Sequence, residues 1–281
     1  MSLLDVLRRI GLMLGGMAVF AAVVVGAQQL LRNRIPVGLE AIVLLFLAFG
    51  TYLLYVRLTE RRRVDELAPA ALLPQTLLGL AIGVAIFTGV IGLLMLTGNY
   101  HYQGYASVPS LLTAFATTTV GAVREELFFR GFLFRVVQSI GGTWIGVAVS
   151  AIVFGALHLL NPHATVMSAL AIAIEAGILL AVAYTASRHL WLPIGIHIGW
   201  NFTEGSIFGV AVSGHHALPS LVHGTLTGPV LKTGGAFGVE ASVFAVLLCC
   251  VASAFLVAYA LHAGRIVPSQ LPSRTAQLRR W

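Results

Sequence analysis

The sequence predicts an all-α, polytopic membrane protein with about eight transmembrane helices around an intramembrane cavity. Two observations lead there first. Of 281 residues, 58% are hydrophobic and only 10% charged, against roughly 45–50% and 25% in ordinary soluble domains. With a mean hydropathy of +0.92, the chain can supply many of the roughly 20-residue apolar stretches that cross a bilayer core as helix. The third observation is that several ionisable residues fall inside those stretches, where only a shared interior would keep them.

Apolar windows fall at 10–31, 37–56, 75–97, 107–137, 143–160, 166–186, 190–212 and 241–262. The first follows Arg8 and Arg9 as a signal peptide would. Its length exceeds a signal h-region of about 7–15 residues and no small-residue cleavage site follows, so it reads as a retained helix. Between the second and third windows, Glu60, Arg61, Arg62, Arg63, Asp65 and Glu66 make either an interfacial helix or a solvated loop. The other connections are short, apart from a Gly/Pro/His-rich stretch at 213–239. One membrane domain is expected, in three parts: helices one to three with a charged cytoplasmic loop at 1–106, the motif-bearing helices at 107–212, and a loop, a last helix and a basic tail at 213–281. No internal repeat marks the duplicated halves of many transporters. Cys249 and Cys250 are adjacent within an apolar run and read as small packing residues, which excludes an intrachain disulfide framework.

The net charge of +7 is a topology signal. Sixteen of the 17 basic residues are arginines, lying mostly between apolar segments, where they set orientation rather than bind nucleic acid. With a cytoplasmic N-terminus, 14 arginines fall inside, against Arg32, Arg34 and Lys232 outside. Both termini are therefore expected in the cytoplasm.

An ionisable group at bilayer depth costs roughly 2.5–3.5 kcal/mol, so Glu125, Glu126, Arg130, His158, Glu175, His197 and Glu204 each need a reason. At roughly 100° per residue, Arg130 lies about 40° past a full turn from Glu126 and can pair with it, while Glu125 points to an adjacent sector without a local partner. Phe154 to His158 places an imidazole on the next window, and His197 and Asn201 stand one turn apart on a later one. Glu204 follows on nearly the same face. Two histidines, a glutamate pair and an asparagine facing inward could supply a base, a second group on a water and donors for an oxyanion. Pairing between helices is the other reading, above all for Glu175.

These three signatures, Glu-Glu-x-x-x-Arg at 125–130, Phe-x-x-x-His at 154–158 and His-x-x-x-Asn at 197–201, resemble those of the CPBP intramembrane proteases, which include the type II CAAX prenyl endopeptidases. The stretch 201–241 also resembles bacterial members, implying a bacterial cytoplasmic membrane. The resemblance implies peptide-bond hydrolysis: Glu125 as general base activating water with His158, His197 and Asn201 stabilising the oxyanion, and Glu126 with Arg130 as the supporting pair. Its partners would be a peptide or membrane-associated protein substrate and the lipid bilayer. Glu125, His158 and His197 would also serve as three ligands of a catalytic zinc. The metal-free glutamate mechanism is favoured, because zinc would take His197 and leave Asn201 alone as oxyanion donor. Two other classes remain on the residues alone: a proton- or ion-coupled transporter, and a non-catalytic peptide-immunity or scaffold protein on the same fold. Axial offsets of about 22 Å for His158 and 10 Å for His197 from their expected inner helix starts call for tilted helices, broken or kinked near Pro162 and Pro193.

Overall fold

A computed structural model describes residues 1–106, 111–216 and 220–270. The start of the 107–137 window and most of the basic tail, including Arg274, Arg279 and Arg280, lie outside the described residues. The fold is a helical bundle: α1 Leu3–Leu31, α2 Val37–Tyr55, α3 Pro69–Leu96, α4 Leu111–Glu126, α5 Arg135–Leu157, α6 Val166–Ile172, α7 Leu179–Ser187, α8 Trp191–Phe202, the single turn α9 Val230–Thr233, and α10 Val243–His262.

Among the described residues, six helical stretches are long and apolar enough to span a membrane. The sequence windows number eight, and two features account for the difference. The 50-residue stretch Leu111–Leu160 is broken at Gly142, whose φ of 82° leaves the right-handed helical region, so it folds as two segments. The α8 segment has 12 α-helical residues followed by five π-helical ones at Thr203–Ile207, just short of a full span.

Wide π-helical turns recur at Val56–Glu60, Leu127–Phe134, Ala173–Ile178 and Thr203–Ile207. They supply the irregularity expected from prolines. The α5 segment does end before Pro162, through a short 3₁₀ turn at His158–Leu160. Pro193, however, sits in the first turn of α8 and breaks nothing; there its missing N–H would have had no intrahelical partner anyway.

Two small-residue seams set the positions of the motif-bearing helices. Gly79 and Gly83 of α3 face Gly195 and Gly199 of α8, so closely that a Cβ on Gly79 would lie 2.8 Å from the Gly195 Cα and one on Gly83 2.7 Å from the Trp200 N. This is paired small-xxx-small packing, in which backbones approach because no side chain intervenes. Gly155 of α5 packs on Ala173, and Gly177 on Ala151. Elsewhere aromatic side chains lock the bundle: the Phe132 ring lies 5.9 Å from Phe20, 4.9 Å from Tyr52 and 5.8 Å from Tyr55, joining α1 and α2 to the turn after α4.

The two ends of the bundle differ. At one end, Leu190 N–H donates to Glu66 O (2.8 Å), Thr143 N–H to Val267 O (2.9 Å), Arg9 to Ser139 Oγ (3.0 Å) and Arg265 to Ala186 O. These are segments that the charge pattern assigns to one side. The 59–69 segment is neither an interfacial helix nor a solvated loop: it folds back through a 3₁₀ turn at Asp65–Leu67 and buries Glu66. Burial raises the affinity of Glu66 for a proton, but the Arg62 guanidinium, with two donated hydrogen bonds, and the Tyr52 hydroxyl at 2.6 Å hold the carboxyl below the usual carboxylate range. At the other end, the strands β1 Tyr100–Tyr105 and β2 Val222–Leu226 form an antiparallel ribbon with a register shift between Tyr102 and Gly104. Tyr100 packs edge-on against Phe208 and donates to its carbonyl. No local pattern reveals this pairing, because its halves belong to loops more than a hundred residues apart.

Candidate active site

On α8, Gly195 and Gly199 face α3, and the helical period carries His197 and Asn201 roughly 200° and 240° away from Gly195, towards α4. There His197 Nδ1 meets Glu126 Oε1 at 2.9 Å. The same oxygen takes Arg130 Nη1, also at 2.9 Å, and both Glu126 and Arg130 are 0% exposed. The i,i+4 pair expected from sequence is therefore present, with a third member that the sequence does not reveal. A carboxylate oxygen accepts, so Nδ1 is the donating nitrogen of His197 and Nε2 is turned to the other side.

Arg130 is held through both of its terminal nitrogens, while its Nε has no hydrogen-bond partner among the described residues. Its Nη2 donates to the carbonyls of Ala176 (3.1 Å) and Gly177 (3.2 Å), within the π-helical turn after α6. Its guanidinium carbon stands 4.6 Å from the centre of the Phe154 ring, a cation–π contact strengthened by the absence of water. Phe154 also lies 4.6 Å from the His158 ring and 6.5 Å from the His197 ring, centre to centre. It stands next to both imidazoles, tilted against His158 and edge-on to His197.

Glu125 differs from Glu126. Its side chain is 27% exposed, with Arg124 Nη2 at 3.6 Å and His197 Nε2 at 3.9 Å, neither close enough to consume its acceptor capacity. His158 Nδ1 lies 2.8 Å from Phe154 O. A carbonyl only accepts, so that nitrogen carries the hydrogen and Nε2 is left for another partner. Asn201 has no side-chain partner among the described residues.

Glu125, His158, His197 and Asn201 all line one cavity of about 370 Å³. It runs from mid-bundle towards the ribbon end, where Asn161 and Ser213 border it. Glu126 and Arg130 stand behind its wall. The cavity also takes in residues that the sequence left without a role. Glu175 lines it, holding Cys249 Sγ at 3.5 Å, and so does Glu240, which accepts from Ser213 N–H (2.6 Å) and Oγ–H (2.8 Å). Glu204 is fully buried and accepts from Trp200 Nε1 at 3.1 Å. Glu175 and Glu204 were visible as acids in apolar windows; Glu240 was not, because it falls where a Gly-rich loop meets the last helix.

Glu125, His158 and His197 were also the residues offered as zinc ligands. Among the described residues, no three His, Cys, Asp or Glu side chains are grouped as a metal ion requires. Glu125 Oε2 and His197 Nε2 stand 3.9 Å apart and His158 lines the same cavity; no step is assigned to a metal.

Residues 107–203 match the family model for type II CAAX prenyl endopeptidase Rce1-like proteins. That segment contains all three motifs. No curated protein and no solved structure matches the chain.

Proposed function

We propose that the chain, whose residues 107–203 match the type II CAAX prenyl endopeptidase Rce1-like family model, is a protease of that family and hydrolyses peptide bonds within its membrane cavity by a water that Glu125 activates. The family is one of proteases, and the chain is an integral membrane protein. The observation that carries the mechanism is the convergence of Glu125, His158, His197 and Asn201, from three separate helical segments, on one cavity.

Glu125 has open acceptor capacity and takes a proton from water. His158, its Nδ1–H committed to a carbonyl, accepts the water's second hydrogen at Nε2 and orients it. The water oxygen attacks the scissile carbonyl carbon, and the Asn201 carboxamide N–H donates to the developing oxyanion. His197 joins it through Nε2–H when the ring is an imidazolium, its Nδ1–H remaining on Glu126. Collapse expels the amine, which takes the proton held by Glu125. Glu126 and Arg130 position His197 and touch no substrate.

By the excess of arginines at one end, we assign that end, and both termini, to the cytoplasm. The cavity then extends towards the opposite face, which favours leader-peptide or secreted-peptide processing over removal of residues after a prenylated cysteine.

The test is cleavage of a peptide library by the purified full chain in nanodiscs, comparing wild type with Glu125→Ala and His158→Ala. General-base loss should lower turnover by about 10²-fold or more in each variant. Unchanged cleavage by Glu125→Ala would remove the mechanism, and proton-coupled uptake without cleavage would favour a transporter.

A further inference from the structure

At the arginine-rich end a second cavity, of about 580 Å³, opens between the first turns of α1, the turn after α2 and the start of α5. Its walls carry four guanidinium groups, those of Arg8, Arg9, Arg62 and Arg135. Two are already neutralised: Arg62 bonds Glu60 at 2.8 Å and Glu66 at 2.6 Å, and Arg135 bonds Glu60 at 2.5 Å. Asp5, the other acid on the wall, is committed to the cap of α1, accepting from Ser2 N–H and Oγ–H. That leaves Arg8, which has no partner among the described residues, and Arg9, whose hydrogen bond goes to the neutral Ser139 Oγ at 3.0 Å.

The hydroxyls nearby do not compete as donors. Thr59 Oγ1 donates to Tyr55 O and Ser139 Oγ to Val136 O. Of the four guanidiniums on the wall, the two without a hydrogen bond to a carboxylate are therefore those on neighbouring positions of α1, beside Met1 and Gln270, and their planar forks match phosphate oxygens. The surroundings identify where that phosphate comes from. Leu7, next to Arg8, is 56% exposed, and Ile10 and Leu14, farther along α1 into the membrane, are 36% and 56% exposed. An apolar surface of this kind at the end of a spanning helix is covered by acyl chains, so an anion reaching Arg8 arrives attached to them.

We infer that this cavity is a headgroup site for an anionic phospholipid, held by Arg8 and Arg9 through its phosphate. The site is separate from the hydrolytic cavity and does not depend on the reaction assigned to it.

The test is native mass spectrometry of the full chain released from nanodiscs containing phosphatidylglycerol and phosphatidylcholine, read as the lipid retained per protein. Wild type should retain phosphatidylglycerol over phosphatidylcholine. The Arg8→Gln/Arg9→Gln variant should lose about tenfold or more of that retention, because it removes the charge-assisted hydrogen bonds to the phosphate. Arg57→Gln/Arg61→Gln, which removes two exposed arginines of the same end outside the cavity, should retain the lipid as wild type does. Arg8→Gln alone, at an exposed position with no partner to lose, should move in the same direction if the double variant fails to fold. Equal losses in the two double variants, or equal retention of the two lipids by wild type, would overturn the site. Displacement of the lipid by inorganic phosphate at millimolar concentration would overturn the lipid as its occupant.

Discussion

A single oxygen, Glu126 Oε1, takes a guanidinium N–H from its own helix and an imidazole N–H from another. This distinguishes two adjacent glutamates that the sequence presents as near equivalents. Spacing alone separated their directions, and it was right about the Arg130 pair, because i,i+4 geometry is local. It could not find His197 as the third member, 71 residues away, nor the Phe154 ring beneath Arg130, because both depend on how helices pack. A buried ion pair broken from one side leaves an uncompensated charge, at a cost of about 3–5 kcal/mol. Arg130→Met should therefore lower the thermal unfolding temperature steeply and reduce cleavage, whereas Arg130→Met with Glu126→Gln should recover much of the stability but not the activity. Equal stability of the two variants, by differential scanning fluorimetry in detergent, would show that charge at Glu126 is not what Arg130 balances.

Apolar windows are legible because hydropathy is a property of each segment, and every window contains a helical segment, although the 190–212 window leaves the helix after Ile207. Their irregularities were harder to see. Pro193 suggested a kink, but a proline in a first turn leaves the helix intact, and the breaks come from Gly142 and the π-helical turns. The seam that matters most for the site was written as Gly79-x-x-x-Gly83 and Gly195-x-x-x-Gly199, recognisable only once the two helices are known to be neighbours. Gly199→Leu should force α8 away from α3, and overpacking of this kind costs about 1–3 kcal/mol. Because His197 and Asn201 ride on α8, cleavage should fall with stability. Gly92→Leu, on α3 where nothing lies within 4 Å of the added Cβ, should leave both unchanged. If the two substitutions behave alike in a cleavage and unfolding assay, the seam is not what positions α8.

At the scale of the molecule, scarce charge separates into two functions. Among the described residues most arginines lie at one end, where Arg62 and Arg135 form a network with Glu60 and Glu66, and counts along the chain anticipated that grouping except for Arg124 and Arg130, which lie within the bundle beside Gln28 and Glu126. The ribbon of β1 and β2 at the other end was not foreseeable, since it joins two distant loops. Among the acids on the cavity wall, Glu125 is the one placed 3.9 Å from His197 Nε2, and neither of its oxygens accepts a hydrogen bond from the described residues. The account stands most directly on one measurement: the rate of peptide cleavage by the full chain in nanodiscs, before and after exhaustive chelation, beside Glu125→Gln. Chelation should leave the rate unchanged, and Glu125→Gln should lower it by about 10²-fold or more. Cleavage that is lost on chelation and restored by zinc, or that survives in Glu125→Gln, would contradict it.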